Sequence, residues 1–164
     1  MVKFSLLTAI AAALPSVLAT PVAAPSNSSA PATLSKRGEG VHIFNCWPTS
    51  SSANNWISVV AYCANDADCS NPNHHLDGAN ACVMKLSLNN GNFHIWEGYQ
   101  QSCKFPTGVT FTWNIDKNAQ SQKDYTYVGS GQNDWTKYRA YKDDKTRGAT
   151  WANHWCQKIY YFLP

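Results

Sequence analysis

The chain has 164 residues, 13 Lys+Arg against 10 Asp+Glu, six Cys and an aromatic fraction of 13%. That length suits one domain once its leader is set aside, and so small a charge excess is not the clustered surplus of base that a nucleic-acid footprint requires. The excess also vanishes beyond residue 37: Lys3, Lys36 and Arg37 all lie before it, and residues 38–164 hold ten basic and ten acidic side chains.

Lys3 precedes the mostly apolar stretch Phe4 to Val17, and Val17-Leu18-Ala19 follows. This is the layout of a secretory signal peptide, with cleavage expected after Ala19. Pro15 and the shortness of the apolar run argue against a membrane span, which needs about 20 apolar residues. Residues 20–35 are dominated by Ala, Pro and Ser, with no aromatic and no charge. Such a segment cannot bury enough apolar surface to offset chain entropy, so disorder is expected. Asn27-Ser28-Ser29 is a glycosylation sequon within it. Lys36-Arg37 closes it as an accessible dibasic processing site. The expected organisation is a signal peptide (1–19), a disordered propiece (20–37) and a single cysteine-rich domain (38–164) that is secreted.

Within that domain the elements read as strands. Val41 to Cys46 is a first short run, and Trp56 to Cys63 (WISVVAYC) a second, rich in β-branched and aromatic residues. Between Cys63 and Cys82 the chain is polar, with Pro72 and Gly78, and reads as a loop pinned by cysteines. Asp66, Asp68 and Asp77 lack the EF-hand spacing, and adjacent His74-His75 forms no ligand frame, so no metal or cofactor is expected. "ACVMKLSLNNGNFHIWEG" then places Asn90-Gly91 between two runs, the type I′ hairpin signal. A two-residue loop pairs Leu88 with Phe93, Ser87 with His94, Leu86 with Ile95 and Lys85 with Trp96. One face is then Leu86, Leu88, Phe93 and Ile95, expected to be buried. The other presents Lys85, His94 and Trp96 as a candidate exposed binding face, unless a second sheet covers it.

Val109 to Ile115 alternates, with Val109, Phe111, Trp113 and Ile115 on one face. Tyr125–Val128, Tyr138–Lys142 and Gln157–Phe162 are further strands, separated by turn residues that include Gly129-Ser130-Gly131 and Asp143-Asp144. Ala149 to Cys156 is expected to hold one short helical turn. Lys137 to Arg147, with five bases and two acids, reads as a solvated edge and turn. Many short strands with frequent turns predict an all-β domain, a small disulfide-stabilised β-sandwich or barrel.

Cys46, Cys63, Cys69, Cys82, Cys103 and Cys156 all follow the dibasic pair. An even count on an exported chain predicts three disulfides, whose pairing the sequence leaves open. Cys156 must reach back across most of the domain. There is no C-x-x-C pair to suggest zinc.

Catalytic order is not legible. His42, His94, His154, Glu97, Arg139 and Arg147 are the pool for a ribonuclease, and "FHIWEGY" (93–99) distantly resembles a base-recognition stretch of small fungal guanyl ribonucleases. On a regular strand, however, His94 and Glu97 point to opposite faces. No Ser-His-Asp order and no Gly-rich phosphate loop is present. Seven Trp and eight Tyr, all beyond residue 37, suit a rigid binding module better than an enzyme. A small hydrolase, or an antifungal or glycan-binding β-domain, is the alternative.

The order of signal peptide, propiece, Lys-Arg, "GVHIFNC", "VVAYCANDADC", "WEGYQQSCKFPTGVTFTWNI", "YKDD" and a late "CQKIYYF" resembles the necrosis-inducing secreted protein family of plant-associated fungal effectors. The resemblance covers essentially the whole chain and carries no catalytic residues. It implies a monomeric virulence factor that causes plant cell death and suppresses pattern-triggered immunity. The implied partners are host plant proteins, namely receptor-like kinases and their cytoplasmic partner kinases, reached after translocation into the host cytoplasm.

Overall fold

The computed structural model describes residues 38–50, 55–88 and 91–164. Ala19, Lys36, Arg37 and the sequon at Asn27 lie outside them. Among the described residues there are nine strands: β1 (Gly40–Pro48), β2 (Asn55–Cys63), β3 (Ala81–Leu88), β4 (Gln100–Lys104), β5 (Thr110–Ile115), β6 (Tyr127–Gln132), β7 (Lys137–Lys142), β8 (Arg147–Trp151) and β9 (His154–Leu163). One four-residue helix, α1 (Asp66–Cys69), joins them. All strand pairing is antiparallel, in the order β3-β2-β1-β9-β7-β6-β5-β4, and β8 pairs the first half of β9 on the edge away from β1. The all-β expectation holds, and of its two forms the sheet takes the barrel.

The sheet curls until its two end strands approach each other. No ladder joins β3 to β4, but the Cys82–Cys103 disulfide does. The barrel is therefore nearly closed by backbone hydrogen bonds and completed by a covalent clip. Its interior holds Val41, Ile43, Trp96, Phe111, Trp113 and Phe162 among others. A second core lies outside β1 and β2, where residues 66–80 and β8 cover them with Cys69, Leu76 and Ala149 against Phe44, Val59 and Ala61. This explains why WISVVAYC is a continuous apolar run: strands buried on both faces have no polar face to alternate with. Cys46–Cys156 links β1 to β9 and Cys63–Cys69 ties α1 to the end of β2.

β9 shows how local irregularity serves packing. Ile43 pairs with Tyr160 but Phe44 with Lys158, so Ile159 is an extra residue on β9. This bulge lets the consecutive residues Ile159 and Tyr160 both enter the barrel interior.

Three expectations are corrected. Gly129-Ser130-Gly131 is not a turn but lies inside β6, because two bulky neighbours approach the strand there: a Cβ on Gly131 would sit 2.5 Å from Phe111 Cζ and 3.0 Å from Phe162 Cδ1. Ala149 to Cys156 is not helical; it holds the end of β8 and the start of β9, whose inward residues Ala149 and Cys156 complete the outer core. Finally, β3 forms as expected but its partner is β2 alone, and residues 91–96 form no strand. Burying an indole removes roughly 150–250 Å² from water, which stabilises by about 4–6 kcal/mol at 25 cal/mol per Å². A few extra ladder hydrogen bonds at about 1 kcal/mol each do not match that. The chain leaves β3 and drops Trp96 into the barrel.

Candidate functional site

The three residues expected on one outward face are separated by this change. Trp96 is only 2% exposed. It packs on Trp113 at 6.2 Å between ring centres, and its Nε1 donates to Asn45 Oδ1 at 3.1 Å. Trp96 is therefore a core residue. His94 is half-buried, set edge-on to Trp96 at 4.7 Å, with its Nε2 hydrogen-bonded to Gln101 Oε1. Lys85 is exposed and its Nζ donates to Phe93 O at 3.5 Å.

The aliphatic residues expected inside are the exposed ones. Leu86 is 56% exposed, Leu88 67% and Ile95 67%, and Val83 and Tyr99 are also exposed. Residues 83–99 thus carry five of the eight large hydrophobic side chains that face solvent among the described residues. The segment is held, not loose: Ser87 Oγ donates to Asn92 O at 2.7 Å and His94 N donates to Ser58 Oγ at 2.9 Å. Apolar side chains on a tethered segment at a sheet end are what a protein-contact surface requires.

One mouth of the barrel opens beside this segment. A hollow of about 310 Å³ is lined by Asn45, Trp47, Phe93, His94, Glu97 and Lys145, with other residues. Trp47 stacks on Trp155 at 4.6 Å and Phe93 on Trp56 at 4.8 Å, giving the mouth an aromatic wall. His94 and Glu97 line the same hollow, contrary to the regular-strand expectation, because the chain is not a strand there. Glu97 Oε1 accepts from Tyr160 Oη at 2.6 Å and from Gln120 Nε2 at 3.1 Å. Burial, then this bond to Glu97, pushes the Tyr160 phenol well above its ordinary value. The rest of the ribonuclease pool is elsewhere. His42 is on the flank, buried His154 contacts Asn55 O, Arg139 lies over the Tyr127 ring and Arg147 is on β8.

Polar pairs lie at the side of the barrel where α1 and residues 143–146 meet β1 and β9. His42 Nε2 meets Asp66 Oδ1 at 2.7 Å, and Lys158 Nζ lies 3.1 Å from Asp143 Oδ1 and 3.4 Å from Asp144 Oδ1. Burial raises the Asp143 carboxyl despite its lysine. Burial also pushes Asp144 up, but donors on Thr146 and Tyr125 outweigh it and hold the carboxyl well below the usual range. His42, Asp66, Tyr125, Asp143 and Lys158 border a cavity of about 600 Å³ with Gly38, Tyr161 and Pro164. The three loop acids have structural partners: Asp66 has His42, Asp68 Oδ1 accepts from Asn65 Nδ2 at 3.2 Å, and Asp77 accepts from Ala79 N and Asn80 Nδ2 at 2.9 and 2.8 Å. His75 Nδ1 lies 3.3 Å from Thr150 Oγ1. Among the described residues no group of three or more His, Cys, Asp or Glu is placed to hold a metal ion, and no helix is long and apolar enough to cross a membrane.

No protein-family model, no curated protein and no solved structure matches the chain.

Two features had little or no signal in the sequence. The exposed aliphatics of β3 show in the sequence only as an alternating run, which does not say which face turns outward. The second feature is Glu39, which ties β2 to β7 by accepting from Tyr62 Oη and Tyr138 Oη, each at 2.8 Å. Those partners lie 23 and 99 residues away, beyond any local pattern.

Proposed function

We propose that the chain is a secreted, non-enzymatic effector of a plant-colonising fungus, which induces necrosis and suppresses pattern-triggered immunity by binding host receptor-like kinases and their cytoplasmic partner kinases. The class of target comes from the family resemblance. The observation that supports binding as the mode of action is the tethered apolar surface of residues 83–99, with Leu86, Leu88 and Ile95 turned to solvent. Three disulfides in so small a β-domain suit an extracellular life. Action on a cytoplasmic kinase also requires the fold to outlast a reducing compartment. Cys46, Cys69 and Cys156 are fully buried, which shields two of the three bridges from attacking thiolates.

The test is binding of purified protein to immobilised kinase domains and receptor ectodomains, with oxidised and fully reduced samples compared. Binding that is lost in Leu86→Asp/Leu88→Asp supports the reading. Binding by oxidised protein alone contradicts a cytoplasmic target, and no binding to any kinase sinks the proposal.

One observation favours a second reading, a small ribonuclease-like hydrolase: His94, Glu97 and Lys145 share an aromatic-walled hollow. A His–Glu pair supplies acid and base, and the lysine a charge for phosphate. RNA cleavage abolished by His94→Ala supports it. Intact RNA after incubation with wild-type protein removes it.

A further inference from the structure

The barrel mouth opposite the His94 hollow holds a different chemistry. The start of β1, the end of β2 and the turns β4–β5 and β6–β7 surround a cavity of about 330 Å³. Val41, Phe105, Phe111 and Trp135 supply apolar and aromatic wall, and Glu39 is the one ionisable acid in the lining. Trp135 stands at the rim, 73% exposed.

Glu39 is a half-buried carboxylate. Tyr138 donates to Oε1 and Tyr62 to Oε2, one bond per oxygen. Each carboxylate oxygen accepts two hydrogen bonds, so each retains an acceptor site. The two phenols orient the group but carry no positive charge. Burial and then the Glu39 bond push Tyr138 up to about 12, so it stays a neutral donor at physiological pH. Among the described residues no Lys, Arg or His forms an ion pair with Glu39. Among the described residues the mouth therefore has a carboxylate, an aromatic wall and no Lys, Arg or His in its lining.

That combination discriminates among guests. A purely apolar guest strips water from the carboxylate and returns nothing for it. An anion is repelled. A cation is attracted both by the carboxylate and by the negative faces of the rings. A guanidinium suits the site better than an ammonium, because its planar fork matches a carboxylate and its flat face stacks on aromatic rings. Asn80 and Thr107 line the same cavity and add oxygen acceptors for the remaining N–H groups. The volume is at the small end of ligand pockets, suited to one long side chain.

We propose that this mouth is a receptor site for a guanidinium, the side chain of an arginine exposed on a partner protein. It rests on the protein-binding reading of the chain but uses neither the 83–99 surface nor the His94 hollow, so the two can fail separately.

The test titrates the secreted protein with Nα-acetyl-arginine amide, followed by the NMR signals of the Trp135 indole. The neutral isostere Nα-acetyl-citrulline amide and the lysine counterpart are run beside it. The arginine amide is expected to shift Trp135, with citrulline weaker by about tenfold or more, as loss of a charge-assisted pair demands. Lysine is expected between them. Glu39→Gln is expected to remove the preference for arginine over citrulline. Trp135→Ala, at a side chain that is largely exposed, is expected to weaken arginine about two- to fivefold. It keeps the test valid should Glu39→Gln fail to fold. Equal binding of citrulline overturns the charge argument, and equal binding of lysine overturns the guanidinium assignment. No shift at about 10 mM arginine amide, a concentration that reveals affinities near −3 kcal/mol, overturns the site itself.

Discussion

Removing the Cys82–Cys103 bridge tests how the barrel is closed. β3 and β4 are the two ends of the strand order and share no ladder, so this bridge is the principal tie between them. The variant is Cys82→Ala/Cys103→Ala. For a sequence separation of 21, the loop-entropy relation gives about 11 cal/mol/K, or about 3.3 kcal/mol at 25 °C. The separation of 6 for Cys63–Cys69 gives about 2.2 kcal/mol, and the 110 of Cys46–Cys156 about 4.8 kcal/mol by the same relation. A loss of about 3 kcal/mol lowers the melting temperature of a domain this size by roughly 10 °C. Urea denaturation read by tryptophan fluorescence measures the loss, since Trp96 and Trp113 lie inside the barrel. Hydrogen exchange locates it: amides of β4 and the free edge of β3 are expected to lose protection before the rest, because no ladder hydrogen bonds hold that seam. Cys63→Ala/Cys69→Ala is the control, expected to cost about 2 kcal/mol and to leave β4 exchange unchanged. A loss below about 1 kcal/mol with β4 protection intact would mean that the bridge does not hold the seam closed.

Three further outcomes follow from the packing and charges. Trp96→Ala is expected to destabilise by about 3–5 kcal/mol, with Asn45 losing its indole donor; a loss below about 1 kcal/mol in urea denaturation would mean the ring is not in the core. Gly131→Ala is expected to cost about 1–3 kcal/mol from overpacking, because its Cβ meets Phe111 and Phe162; an unchanged melting temperature contradicts the close approach. Asp144 has a carboxyl held below its ordinary value, so its stabilising contribution is present above the unfolded-chain value of about 3.9 and is lost as pH falls below it. Asp144→Asn should therefore narrow the gap between urea midpoints at about pH 5 and about pH 2.5, and an unchanged gap rules Asp144 out as a source of acid sensitivity.

What the sequence revealed depended on whether one local pattern decided the outcome. Val109 to Ile115 alternates because β5 has one face in the barrel, and Phe111, Trp113 and Ile115 are indeed buried there. β1, β2 and β7 are legible to within two residues from their β-branched and aromatic runs, whereas β9 begins three residues before its expected start. Residues 81–96 misled because the Asn-Gly signal is local, whereas the fate of Trp96 was set by a space between β1 and β5 that no local pattern reveals. With the ladder gone, Leu86 and Leu88 turned outward and the proposed Lys85–His94–Trp96 face did not form. Gly129 to Gly131 differ from the turn expectation for a related cause: Gly131 permits close approach of the Phe111 and Phe162 rings, and Gly129 close approach of the β5 backbone at Asn114. The Glu39 mouth has no local signature, since Glu39, Tyr62 and Tyr138 meet only once β2, β1, β9 and β7 are assembled in that order.

The proposed effector activity requires binding of a host protein through the exposed aliphatics Leu86, Leu88 and Ile95. The most direct measurement is the flagellin-triggered oxidative burst in leaf tissue expressing residues 38–164, with wild type and Leu86→Asp/Leu88→Asp compared at equal protein level. Both substituted positions are exposed, so the variant is expected to stay folded. A burst suppressed by wild type and restored by the variant is the expected result. Equal suppression by the two proteins, or no suppression by wild type, contradicts the account.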